Sequence, residues 1–240
     1  MFDIKGDTTA EVIMTSLTSA AMREADRRCI EELGIPGAVL MNNAGMAVFR
    51  ELPDGPVGVV CGKGNNGGDG FVVARLALQA GRDVRVALIA EPAQIRGDAA
   101  LFMDVYRRLG GEMCVARTAP EANAAVSALR GRAVLVDAIL GTGIRGEVQD
   151  PYRAAIAAWP DTYTVAVDLP SGLDADTGEC GSPCIKANVT VTFQFAKTGL
   201  LAPSARPYVG RLVVADIGIP AVCADDTAWF RLKSGWASAR

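Results

Sequence analysis

The sequence contains no histidine. That absence removes every mechanism built on an imidazole: the Ser-His-Asp triad, the Cys-His pair and histidine-ligated zinc. Positive charge is not in surplus, with 24 Lys and Arg against 27 Asp and Glu, so the electrostatic footprint of a nucleic-acid binder is missing. The six cysteines, Cys29, Cys61, Cys114, Cys180, Cys184 and Cys223, form no CxxC pair and no even framework. Cys180 and Cys184 have no second ligand pair to complete a metal site, and the thiols read as reduced. No apolar run reaches the roughly 20 residues that a membrane helix needs. Residues 1–7 lack the charged-then-apolar order of a signal peptide. The expectation is a cytoplasmic chain with no membrane and no nucleic-acid partner.

What is present is a globular composition, 50% hydrophobic and 21% charged over 240 residues. It reads as one domain over 1–240 with a core at about 18–220. From 18 to 33, Ala21, Met22, Ala25, Cys29 and Leu33 fall on one helical face, with Arg23, Glu24, Arg27, Arg28 and Glu31 opposite. Thr18 or Ser19 caps its start and Gly34 its end. Pro36 opens a second helix through about 51, in which Asn42 and Asn43 are poor helix formers unless their amides find partners.

Beyond Pro53 strands and helices alternate. Strands are expected at 57–61, 84–89, 112–115, 133–136, 163–167, 189–193 and 212–214. Helices are expected at 70–80, 94–109, 120–129 and 152–159. Apolar strands alternating with helices predict an α/β fold: a Rossmann-like, doubly wound, mainly parallel sheet with helices on both faces, preceded by the helical pair. The polar tail after Cys223 is expected to be partly disordered.

In such sheets the ligand lies beyond the carboxyl ends of the strands. After the first strand, residues 62–70 read GKGNNGGDG, five glycines in nine residues. Gly62, Gly64 and Gly67 match GxGxxG, and a backbone this bare approaches a phosphate closely. Asn65 and Asn66 offer amides to a carboxamide or a cation, and Asp69 is either a ligand contact or a helix cap. After the fourth strand come Asp137 and a second glycine-rich loop, 141–147. A carboxylate that follows four apolar residues is paired, metal-bound or capping. After the fifth strand comes VDLPSG at 167–172, with Asp168 at the strand end and Ser171 on a tight turn. Without histidine, Ser171 reads as a ligand to a cation or substrate. Residues 174–178 start like a calcium loop but lack its spacing, and read as a turn. A strand order beginning 3-2-1-4-5 would gather these ends. Clustered carboxylates beside a phosphate need positive charge, from Lys63, Arg145 or a hard cation.

These residues resemble those of the NAD(P)H-hydrate epimerases, the YjeF N-terminal family. The matching blocks are LMNNAG at 40–45, GKGNNGGDG at 62–70, VDAILGTGIRG at 136–146, VDLPSG at 167–172, AKTG at 196–199 and DIGIP at 216–220. They run in family order over most of the chain. One departure is Asn42, where the family's usual LMENAG has glutamate. The resemblance implies an isomerase that epimerises R- and S-NADHX or NADPHX, the hydrated dinucleotides, at C6 of the nicotinamide ring, a metabolite-repair step. It implies that Asn65, Asn66, Gly67, Gly68 and Asp69 line the dinucleotide, as do Gly141, Thr142, Gly143, Ile144, Arg145, Gly146, Glu147 and Asp168. It further implies one potassium ion (K+) on Asn66, Asp137 and Ser171, with Asp168 as the acid/base group. Many bacterial relatives carry a nucleotide-dependent dehydratase as a second domain, so a dehydratase domain or enzyme is an expected partner, with homodimerisation left open. The chain has no Walker-type GxxxxGKS/T and is not expected to use ATP or ADP itself.

The hydrate is a hemiaminal beside the ring nitrogen. Protonating its hydroxyl releases water and leaves a planar, iminium-like C6, and water returning to either face sets the new configuration. Two other readings stand beside this one. An oxidoreductase using intact NAD would draw on GxGxxG and on Glu91 after the second strand. A non-catalytic scaffold, like the related domain in enhancers of decapping, would require a degraded site.

Overall fold

A computed structural model describes residues 16–143 and 146–238. Seven strands, among the described residues, form one sheet: β1 Val57–Cys61, β2 Val84–Leu88, β3 Glu112–Val115, β4 Val134–Ala138, β5 Thr164–Val167, β6 Val189–Phe193 and β7 Arg211–Ala215. Their order is β3-β2-β1-β4-β5-β6-β7, and every pairing is parallel. The interior strands β1, β4, β5 and β6 are buried along their whole length, as parallel strands covered on both faces must be. The edge strands β3 and β7 alternate toward solvent instead.

The two-residue period of a strand divides the core in two. Val57, Val59 and Cys61 face α2 (Gly37–Arg50), α3 (Asn65–Gln79) and α4 (Gly97–Arg108). Val60, Ala87 and Leu135 face α5 (Ala119–Ser127) and α6 (Tyr152–Ala157). The chain winds outward from β1 to β3, then crosses back to β4, so the topological switch lies between β1 and β4. The loops after these two strands therefore diverge and leave a crevice.

Four expectations change. Helix α3 starts at Asn65, not at 70, so NNGGD forms its first turn. Asn and Gly disfavour that helically, but the close fit of this turn against the β1 loop overrides propensity. A Cβ on Gly67 would lie 2.0 Å from the Gly62 carbonyl oxygen. Asp69 is consequently inside the helix and caps nothing. Strand β4 runs to Ala138, which places Asp137 within the sheet, opposite Val60 and Ala166. The tail is ordered: after α7 (Arg206–Val209) and β7 comes α8 (Asp226–Ser238), whose Trp229 is buried beneath the Arg28 guanidinium at 5.4 Å.

The first helix, α1 (Ser19–Arg27), is capped by Thr18 and continues in a π-helical turn over Arg28–Glu32, with Gly34 at φ +81° just beyond. Asp176 reaches its start from the turn after β5, accepting from Ser19 N at 2.6 Å and Ser19 Oγ at 2.7 Å. Arg28 ties its far end to Cys223 O and Asp226. The two asparagines of α2 do find partners: Asn43 donates to Ile217 O at 2.8 Å, and Asn42 accepts from Arg75 at 2.7 Å. Asp174 accepts from the amides of Asp176 and Thr177, the turn expected there.

Candidate active site

The crevice at the switch point is a cavity of about 720 Å³. Its floor is made by strand-end loops, and one wall by α1 and α2, through Met22, Asp26, Leu40 and Met41 among others. Asn65, Asn66, Asp69, Gly141, Thr142, Gly143, Glu147 and Asp168 all line it, as does Lys63. Gly67 and Gly68 lie behind the surface as packing points; a Cβ on Gly68 would lie 2.6 Å from Met41 Sδ. Gly146 is exposed at φ +80°. Ile144 and Arg145 lie outside the described residues.

Asp168 stands at the end of β5 with φ +64°, a left-handed conformation that Asp and Asn tolerate better than other non-glycine residues. That backbone turns its carboxylate along the ends of β5 and β6. Oδ1 accepts from Lys197 Nζ at 2.5 Å and from Thr192 Oγ at 3.0 Å. Lys197 Nζ also donates to Thr192 Oγ at 3.0 Å and to Phe193 O at 3.2 Å. Lys197 is 1% exposed, so this ammonium exists where it is because Asp168 faces it.

Two more carboxyl groups open into the same cavity. Asp69, buried on α3, has its pKa raised well above the usual carboxylate range, by burial first and then by the Asp168 charge. Asp26, half-buried on α1, is raised to about 6, chiefly by burial; Lys197 opposes the shift and Asp168 adds to it. One buried lysine thus stands near three aspartates, and burial together with the Asp168 charge holds Asp69 and Asp26 above the ordinary carboxylate range.

For Asp69 the sign is definite. Its folded-state pKa exceeds the unfolded value, so its contribution is full below pH 4 and is lost as pH rises. Asp69→Asn should therefore match the parent near pH 4 and be the more stable protein at pH 8. Thermal melts of both proteins at the two pH values check this; no difference at pH 8 would remove the strain assigned to Asp69.

The expected cation ligands meet around the Leu140 peptide, just below the floor. Ser171 Oγ accepts from Leu140 N at 3.0 Å and donates to Asp137 Oδ1 at 2.5 Å. Asp137 Oδ2 accepts from Ser171 N at 2.7 Å, and Asn66 Nδ2 donates to Leu140 O at 3.1 Å. Burial raises the Asp137 pKa to about 6, against the lowering effect of the Ser171 hydroxyl and amide. Three strand ends are thereby locked together. The donor set is hard oxygen, and among the described residues Asn66 Oδ1 accepts no hydrogen bond, which fits an alkali cation.

Two matching groups went unread in the sequence. Lys197 lies within AKTG, and the strand-end rule that points to Asp168 applies equally to this loop after β6. Asp26 sits among the charges of α1 but does not share their outer face. Its position, four after Met22 and three before Cys29, puts it on the inner one.

The family model for the YjeF-related protein N-terminus matches residues 37–199. A protein of Pirellula staleyi named NAD(P)H-hydrate epimerase is 40% identical over 204 residues, covering 82% of this chain and 90% of its own. The chain belongs to the YjeF N-terminal family. The NAD(P)H-hydrate epimerase of Rhodopirellula baltica, also a member, is 36% identical over 85% of this chain and 84% of its own. The bifunctional NAD(P)H-hydrate repair enzyme of Moorella thermoacetica is 44% identical over 86% of this chain, which spans 41% of that enzyme's length. The crystal structure of yeast ynu0 shares the fold, with a TM-score of 0.67 at 23% identity over 78% of this chain and 83% of that one. The matched range includes the VDLPSG and NNGGDG blocks, which place Asp168 and Asp69 in a single cavity. No helix among the described residues is long and apolar enough to cross a membrane.

Proposed function

We propose that this chain epimerises R- and S-NADHX or NADPHX at C6 of the hydrated nicotinamide ring. The observation that carries this reading is the convergence of the Asp168–Lys197 pair and the uncapped start of α3 on one cavity, in a chain whose family relatives are named for that reaction. The first-turn amides of α3 have no side-chain cap and suit the pyrophosphate. Lys63 stands beside them. The ring then reaches the strand ends, where Asp168 exchanges a proton with the C6 oxygen on the ring face it meets. Lys197 and Thr192 fix that carboxylate in one orientation, so little reorganisation is needed in the transition state. The apolar wall from Met22, Leu40 and Met41 limits bulk water around the cationic intermediate.

An oxidoreductase using intact NAD fits less well. Glu91, which would hold a ribose, is instead ion-paired to Arg117 and does not line the cavity. The intact carboxylates likewise disfavour a degraded scaffold. A second enzyme, an S-specific dehydratase acting on the epimerised product, is the partner this reading requires. Adding this chain to such a dehydratase should allow complete recovery of NADH from a mixture of epimers; recovery stalling at the S fraction would refute the assignment.

A potassium ion on Asn66, Asp137 and Ser171 belongs to the same reading. It would supply positive charge close to the phosphates and the carboxylates, where like charges a few Å apart repel by several kcal/mol in a partly dry site. Crystals grown with rubidium should show an anomalous peak among these three residues. An ordered water there, unchanged on exchange for a bulky organic cation, would overturn the ion.

A further inference from the structure

Epimerisation by loss and return of water has a geometric requirement that one carboxylate does not meet. The hydroxyl leaves from one face of the ring and water returns to the other. A group within hydrogen-bond reach of the oxygen on one face is screened from the other by the ring itself. A second proton-exchanging group is needed on the far side of the cavity from Asp168.

Helix α1 and the π-helical turn that continues it carry seven charged residues between 23 and 32: Arg23, Glu24, Asp26, Arg27, Arg28, Glu31 and Glu32. Glu24, Arg27, Arg28, Glu31 and Glu32 are all in ion pairs on the outer face. Arg23 and Asp26 are not, and both line the cavity. The Asp26 carboxyl has no hydrogen-bond or ion-pair partner among the described residues, although it is half-buried. A carboxyl in that position costs stability unless something in the cavity uses it.

Its placement is also fixed. Ser16 and Leu17 pair in parallel with Ala196 and Lys197, so the chain enters α1 from beside the backbone of Lys197. Asp176 anchors the start of the helix, and Asp26 lies about 10 Å further along it, at 1.5 Å per residue. Asp26 thus enters the cavity from the inner face of α1, whereas Asp168 and Lys197 enter it from the strand ends. The family match begins only at residue 37, beyond this helix.

We infer that Asp26 is a second catalytic acid/base group, serving the ring face opposite Asp168. This rests on the epimerase reading. In one direction the Asp26 carboxyl gives its proton to the C6 hydroxyl. The C6–O bond breaks, water leaves, and the N1 lone pair forms the C6=N1 bond. Water then adds from the other face, the π pair returns to N1, and Asp168 takes the proton. Solvent resets both groups between turnovers, and the reverse direction exchanges their roles. The groups that face Asp26 are Arg23 on its own helix, Cys29 one turn on, Asp69 from α3, Asp168 from the β5 end and Lys197 from the β6 end. Burial chiefly raises its pKa to about 6, with Lys197 opposing and Asp168 adding, close to the working range of a general acid.

The test separates inversion from exchange. Purified R and S epimers are incubated in oxygen-18 water with wild type and with Asp26→Asn, and both configuration and label are followed after subtracting the uncatalysed rate. Wild type should invert both epimers with label uptake; failure here would refute the epimerase reading itself. Asp26→Asn should lose roughly 10²–10⁴-fold of inversion. It should still catalyse measurable oxygen exchange with retained configuration for the one epimer that presents its hydroxyl to Asp168. That retained exchange shows the variant is folded and binds substrate. Inversion within tenfold of wild type would overturn the role of Asp26. So would parallel loss of inversion and of both exchange reactions in a protein whose melting temperature is unchanged.

Discussion

Asp168→Asn is expected to reduce epimerisation by roughly 10²–10⁴-fold, the range typical for a general acid or base. Asparagine tolerates the left-handed backbone at this site, so the turn after β5 is kept. What is lost is the proton acceptor and the partner of a buried ammonium. Removing one member of a buried ion pair costs about 3–5 kcal/mol as a rule. The lower end applies here, because Asp26 and Asp69 stand near Lys197 and one of them can ionise in place of Asp168. The variant should remain folded, bind the dinucleotide and melt lower. Activity within threefold of wild type, a barrier change below about 1 kcal/mol, would remove Asp168 from proton transfer.

The second large effect lies in the glycine-rich loop, where the glycines have two different jobs. A Cβ on Gly62 would sit 2.0 Å from the Ile139 carbonyl oxygen, and one on Gly67 equally close to that of Gly62. Both obstacles are backbone on strand-end loops that cannot withdraw without moving the sheet. Gly62→Ala should cost about 3 kcal/mol or more, which is roughly 6–12 °C in melting temperature for a domain of this size. Gly64 is different: its φ is −92°, nothing lies within 4 Å of its Cβ position, and it lines the cavity. Gly64→Ala should cost about 1 kcal/mol or less in stability yet raise KM, because the methyl enters the phosphate cradle. Thermal melts with KM for the two variants separate the roles. Equal destabilisation would show that both glycines serve packing.

The strands were legible because β1, β4, β5 and β6 are short runs rich in apolar and β-branched residues, a composition imposed by burial on both faces. Helix boundaries were less so. Nothing local marks Asn65 as helical; only the close approach of Gly67 to the β1 loop does, and that contact depends on tertiary structure. For the same reason the tail read as loose, since Trp229 becomes a core residue only once Arg28 of α1 lies over it. Within the site, residues at strand ends followed from topology, which is why Asp137, Asp168 and Ser171 could be grouped before their geometry was known. Their gathering around the Leu140 peptide was not visible, because a backbone group leaves no signature in a sequence. Asp26 was hidden by a helix face assigned from its other charges.

The most direct measurement of the central claim is chromatography that resolves the two epimers, applied to pure R-NADHX mixed with this chain alone, without nucleotide. The account predicts rapid approach to the equilibrium mixture of R and S, with no NADH formed. An R-to-S rate no higher than that of the substrate in buffer would contradict it.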